Sequence, residues 1–134
     1  MGGRLSTVLL DTHVLHWWTA EPKQLSRPAS RAIASAHEVA VADITWWELA
    51  QLEARGRILV QTSVRAWLGE LAAVVRTVPI SPAIAEAAAR LAPTFPGDPA
   101  DRLIYATALE KGWRLVTKDA RLKAHPVPTP ITIW

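Results

Sequence analysis

The chain has 134 residues, half of them hydrophobic, no cysteine and a formal net charge of +3. That length suits a single domain, residues 1–134, with enough apolar material for a core without cross-links. The composition excludes a disulfide scaffold and a thiolate metal site, and no apolar run approaches the roughly 18 residues of a membrane span.

Residues 5–10 are β-type, end at Asp11 and predict a first buried strand. Residues 12–20 predict a short helix stopped by Glu21-Pro22, and Ser26 with Pro28 opens a second helix to about residue 36. Residues 39–42 predict a strand, followed by a helix from Asp43 or Thr45 to Arg55, ended by Gly56. A helix over 63–75, a strand over 77–80 and a helix from Ser81-Pro82 to Leu91 come next. After a loop with Pro93, Pro96 and Gly97, Asp98 opens a helix that Gly112 ends. Residues 114–117 predict a strand, Asp119 a turn or short helix, and residues 131–134 a last strand reached through 126–130. This alternation predicts an α/β three-layer sandwich, a mainly parallel central sheet flanked by helices. The absence of cysteine and of any membrane segment fits a soluble protein of the cytoplasm.

Four acids stand at element junctions or on core-facing stripes: Asp11, Glu48, Asp101 and Asp119. Each has a local structural alternative. Asp11 and Asp119 can cap helices or turns, and Thr45 with Glu48 fits a capping box. Asp98-Pro99 is a near-ideal helix start, and Asp98 is a candidate for both cap and site. Glu48, however, lies four residues from both Ile44 and Leu52. Asp101 lies three before Ile104 and four before Tyr105. An ionised side chain on such a stripe is costly unless paired or metal-bound. Carboxylates at the carboxyl ends of parallel strands converge where ligands bind in this fold class.

An all-oxygen set, without cysteine or a third histidine near His13 and His16, points to a hard cation, Mg²⁺ or Mn²⁺. Metal-assisted phosphoryl transfer is the chemistry such a site serves. Arg102 and Lys118, beside the acids, suit a polyanionic substrate. Residues 102–125 hold six Lys/Arg against two acids, and Arg114, Lys118, Arg121 and Lys123 form a basic cluster suited to guiding a polyanion. His37 and His125 read as loop residues. The adjacent pairs Trp17-Trp18 and Trp46-Trp47 send their members to different helix sides, one expected in the core and one exposed.

Four stretches carry a family resemblance: VLLDTHVLHWW (8–18), ITWWELAQL (44–52), GDPADRLIYATAL (97–109) and LVTKDARL (115–122). In their order and over most of the chain they resemble the PIN-domain ribonucleases, and among them the VapC-type toxins of bacterial toxin–antitoxin pairs. The resemblance implies a metal-dependent endoribonuclease. Asp11 and Asp101 would be the principal Mg²⁺ ligands, Asp119 would bind directly or through water, and Glu48 would orient water or act as base. Thr117 matches a hydroxyl position that supports the last acid, and Thr45 a small hydroxyl before Glu48. Thr12, Thr45, Asp98, Arg102, Thr117 and Lys118 are the expected supporting residues. The resemblance further implies a homodimer and a cognate antitoxin, for which the tryptophans of the first and third helices would form a groove. Two other functions compete. A haloacid-dehalogenase-type phosphatase needs a second Asp where His13 stands. A non-catalytic module would use the acidic pocket to seat a partner's arginine.

Overall fold

The computed structural model describes residues 6–124 and 131–134. The expected strand start at Leu5, the loop residue His125 and the lead-in over 126–130 lie outside the described residues. Strands β1 (Thr7–Leu10), β2 (Glu38–Ala42), β3 (Arg76–Val78), β4 (Arg114–Val116) and β5 (Thr132–Ile133) form one sheet, order β3-β2-β1-β4-β5. Every pairing is parallel, so the mainly parallel expectation becomes wholly parallel among the described residues.

The apolar strand runs follow from burial on both faces. Leu9, Ala40, Ala42 and Leu115 pack on one side, against Ile84 and Ala88 of α5 (Pro82–Ala89) and Ile104 and Tyr105 of α6 (Pro99–Lys111). Val8, Leu10, Val41 and Val116 pack on the other. There they meet Val14 and Leu15 of α1 (Thr12–Ala20), Ile33 of α2 (Arg27–Ser35), Leu49 of α3 (Ile44–Ala54) and Leu71 of α4 (Val64–Val74). Each fully buried Leu or Ile in these layers contributes about 1.5–3 kcal/mol. The short helix expected after Asp119 is the four-residue α7 (Ala120–Lys123), and a 3-10 turn at Pro22–Gln24 is one element that sequence reading missed.

Helix boundaries follow their capping chemistry. Ser26, Ser63 and Ser81 each accept, at 3.1 Å, the amide three residues on, which starts α2, α4 and α5. Gly112 ends α6 with φ +70°, a conformation that costs a residue with a Cβ. The capping box, the structural alternative for Thr45 and Glu48, does not form. α3 begins at Ile44, directly after Asp43, and the Thr45 hydroxyl turns to Thr12 instead.

Arg102 departs from its expected role beside the substrate. Its guanidinium faces the loop between α5 and α6, donating to the carbonyls of Pro96 (3.0 Å), Phe95 (3.2 Å), Ala88 (3.3 Å), Ala92 (3.4 Å) and Leu91 (3.5 Å). A loop without regular hydrogen bonds needs such donors for its inward carbonyls. Arg102→Leu is expected to lower stability by about 2–3 kcal/mol, because a charged donor serving several inward carbonyls of the loop is lost. Urea unfolding measures this, and a midpoint equal to wild type would show that the fork contributes nothing.

Candidate active site

β1 pairs with β2 on one side and β4 on the other, so chain order reverses at β1. That reversal opens a crevice beyond the strands' carboxyl ends. Asp11 stands in it. Its amide donates to Val116 O at 3.0 Å, extending the ladder one step past Leu10. Its carboxylate accepts the Thr12 amide at 2.9 Å and the Thr117 hydroxyl at 2.7 Å. Asp11 is thus a helix cap and a crevice carboxylate at once.

Glu48 enters the crevice from α3, with Ile44 and Leu52 of its stripe lining the same cavity. The Thr12 hydroxyl donates to Glu48 Oε1. Thr12 has one hydroxyl proton, so across the 3.2 Å contact Thr45 donates to Thr12. The order Thr45, Thr12, Glu48 is therefore a directed chain of donors, and both threonines are buried. Asp98 caps α6 through the amides of Ala100 (2.8 Å) and Asp101 (3.3 Å). Carboxylate oxygens of Glu48, Asp98 and Asp101 lie within 4.8 Å of one another. Asp119 caps α7, and its own amide donates to Thr117 Oγ1 at 3.1 Å, so Thr117 orders both Asp11 and Asp119.

These acids line one cavity of about 1110 Å³. Its apolar wall comes from Val14 and Trp17 on α1 and Ile44, Trp47 and Leu52 on α3, the two helices expected to form a groove. Trp46-Trp47 divides as expected: Trp46 packs on the core and donates Nε1–H to Thr77 at 3.1 Å, whereas Trp47 is 56% exposed. Trp17-Trp18 does not divide, because both pack against the same core layer. His13 and His16 part company: His13 lies against the Trp17 ring, and His16 Nε2 meets Glu21 at 3.2 Å. Lys118 lines the cavity with Nζ 5.8 Å from the Trp17 ring centre.

Sequence reading placed Arg121 in the basic cluster with Arg114, Lys118 and Lys123. The structure sets it on the acids, 3.2 Å from Asp101 Oδ2 and 2.7 Å from Asp119 Oδ2. The signal was present in the two-residue spacing from Asp119. The carboxylate that caps the Arg121 amide at 2.9 Å also takes its side-chain Nε–H at 3.1 Å.

The electrostatics separate the acids. Burial pushes the Asp11 carboxyl up, against the Thr117 and Thr12 hydrogen bonds that pull it down. Burial also raises Glu48, helped by the charges of Asp11 and Asp98. Asp101 rises to about 7, through burial first and then the neighbouring carboxylates Asp11, Asp98, Glu48 and Asp119. Asp119 is held below the ordinary value by its hydrogen bonds to the Arg121 side chain. Crowded, partly buried carboxylates that resist ionisation together are relieved by a divalent cation, and an all-oxygen donor set suits a hard one. The residues present fit such a metal.

The PIN domain profile matches residues 8–127, and the chain belongs to that family. It is 58% identical to Ribonuclease VapC22 of Mycobacterium tuberculosis (strain ATCC 25618 / H37Rv) over 130 residues, 97% of this chain and 100% of that one. The fold matches solved structures at lower identity. A complex of VapBC2 from Rickettsia felis with a promoter DNA fragment gives a TM-score of 0.66 at 16% identity, over 94% of this chain and 96% of that one. A toxin–antitoxin complex from Klebsiella pneumoniae gives 0.64 at 23%, over 89% and 92%. No helix among the described residues is long and apolar enough to cross a membrane.

The raised Asp101 carboxyl has a consequence for stability. Its pKa goes from 3.8 to about 7 on folding, so the folded state holds the proton more tightly. Stability is therefore lost as pH rises through about 4 to about 7. Metal-free protein is expected to show a urea midpoint that falls across this window, and Asp101→Asn a flatter profile. Identical profiles would place the ionisation of Asp101 elsewhere.

Proposed function

We infer that this protein is an endoribonuclease and the toxin of a toxin–antitoxin pair. The observation that carries this reading is the gathering of Asp11, Glu48, Asp98, Asp101 and Asp119 around one cavity at the sheet's reversal, in a chain 58% identical to a ribonuclease. We propose Mg²⁺, with Mn²⁺ as substitute, as its metal. Asp11 and Asp101 would be the principal ligands and Asp119 a direct or water-bridged one. When bound, the ion would supply charge neutralisation at the phosphodiester and a lower pKa for the attacking water.

The rest of the work falls to side chains. Thr117 aims Asp11, and Thr45 and Thr12 aim Glu48. Glu48 thereby keeps one carboxylate oxygen committed to Thr12 and the other available to orient a water and accept its proton. Water adds to phosphorus as Glu48 takes its proton, the bond to one ribose oxygen breaks, and that oxygen takes up a proton from solvent water as it leaves. Lys118, at the cavity edge, would meet the RNA backbone, which Arg114 and Lys123 would attract at longer range.

The partner in this reading is a cognate antitoxin, in keeping with the toxin–antitoxin complexes that share the fold. The exposed Trp47 and its apolar neighbours beside the acids suit a helix laid into a groove. A single-domain protein, a homodimer and a cytoplasmic location belong to the same proposal. The alternative, a non-catalytic module seating a partner's arginine, gains support from Arg121, which shows that a guanidinium fits among these carboxylates.

Purified protein with Mg²⁺ is expected to cut single-stranded RNA, and chelator to stop it. Asp11→Asn and Asp101→Asn should each lower the rate at least about 100-fold, the scale of removing a catalytic group. Equal cutting by wild type and both variants would expose a contaminating nuclease. No cutting, with no metal bound at millimolar concentration, would favour the module.

A further inference from the structure

Arg121 is absorbed neither by the fold nor by the proposed chemistry. Its side chain is 62% exposed, so solvent could take its charge without cost. Instead it bridges two carboxylates from separate elements, Asp101 on α6 and Asp119 before α7, 18 residues further along the chain. Among the described residues no other ion pair reaches an acid of the cavity. Arg102 is turned into its loop and Lys118 lies over Trp17. Among the described residues the carboxylate cluster therefore has a single bonded cation, tethered to it by the chain.

The oxygens Arg121 holds belong to residues that a metal would need. Asp101 is part of the three-carboxylate group that could hold a metal ion, and Asp119 is a proposed ligand. Arg121 already occupies lone pairs on Asp101 Oδ2 and Asp119 Oδ2, so a divalent cation drawing on those oxygens competes with it. Arg121 also has a geometric reason to stay nearby after giving way. Its amide is fixed on Asp119 Oδ1 at 2.9 Å, so only the side chain has to move.

We propose that Arg121 is a tethered internal counter-ion of the metal site. It holds Asp101 and Asp119 in place when no metal is bound, and a metal that draws on the same oxygens must compete with it. It is a positioning residue, and its effect is to weaken and gate metal affinity. The proposal rests on the metal-dependent reading above, and its test separates the two.

The test is calorimetric titration of Mn²⁺, without RNA, into metal-free wild type, Arg121→Gln, Arg121→Lys and Lys118→Gln. Lys118→Gln removes one cavity cation that does not touch the acids, and so measures the general effect of charge. Arg121→Gln is expected to bind Mn²⁺ about three- to fivefold more tightly than Lys118→Gln, the scale of an exposed charge pair. Arg121→Lys keeps the charge without the planar fork and should fall between wild type and Arg121→Gln. Should Arg121→Gln fail to fold, the comparison of Arg121→Lys with wild type still decides, since tighter binding at equal charge can come only from the lost fork. Equal or weaker binding by the Arg121 variants, with wild type binding normally, overturns the counter-ion and leaves the metal reading standing. No binding to wild type at millimolar Mn²⁺ overturns both.

Discussion

Everything at the site depends on one conflict: five carboxylates share a crevice that the sheet topology creates and burial partly dries. In water such charges would ionise independently. Here desolvation and mutual repulsion raise Asp11, Glu48 and Asp101 together, while Asp119 alone is lowered by a cation. A cluster in that condition stores a demand for positive charge. Arg121 meets part of it from within the chain, and a hard divalent cation would meet more, having twice the charge and no bulk.

The second requirement is that the acids stay aimed while their charge state changes. Buried threonine hydroxyls do this. Thr117 holds Asp11 and the Asp119 amide, and Thr45 acts on Glu48 through Thr12. Hydroxyls suit the task because they orient a carboxylate without neutralising it. The cavity's other half is apolar, from Val14, Trp17, Ile44, Trp47 and Leu52. A polar, charged floor beside an apolar wall allows one opening to serve two partners. In the proposed reading, RNA would meet the floor once a cation neutralises it, and the antitoxin's helix would lie on the wall. Under that reading a bound antitoxin would cover the same opening that the substrate enters.

Much of the layout was legible in the chain. The alternation of apolar strands with capped helices predicted the layered α/β fold. The serines at 26, 63 and 81 marked helix starts that the structure keeps to within a residue. Glu48 and Asp101 stood out because a charge on an apolar stripe demands a partner, and both line the cavity. The misreadings share a cause. Arg102 adjoins Asp101 in sequence, but adjacent residues on a helix diverge by about 100°, and its guanidinium serves a loop instead. Thr45 and Glu48 matched a capping box, yet their hydroxyl and carboxylate meet on Thr12 of another helix.

The sequence by itself determined the element types, the two-faced strands, the oxygen-only donor set and the family, because these rest on local periodicity and residue chemistry. Only the tertiary structure decided which groups meet. Whether an acid is paired, raised or free depends on side-chain direction across residues distant in the chain: Thr117 to Asp11, Thr12 to Glu48, Arg121 to Asp101. Those directions are set by packing the helices on the two faces of one sheet, and no local pattern encodes them.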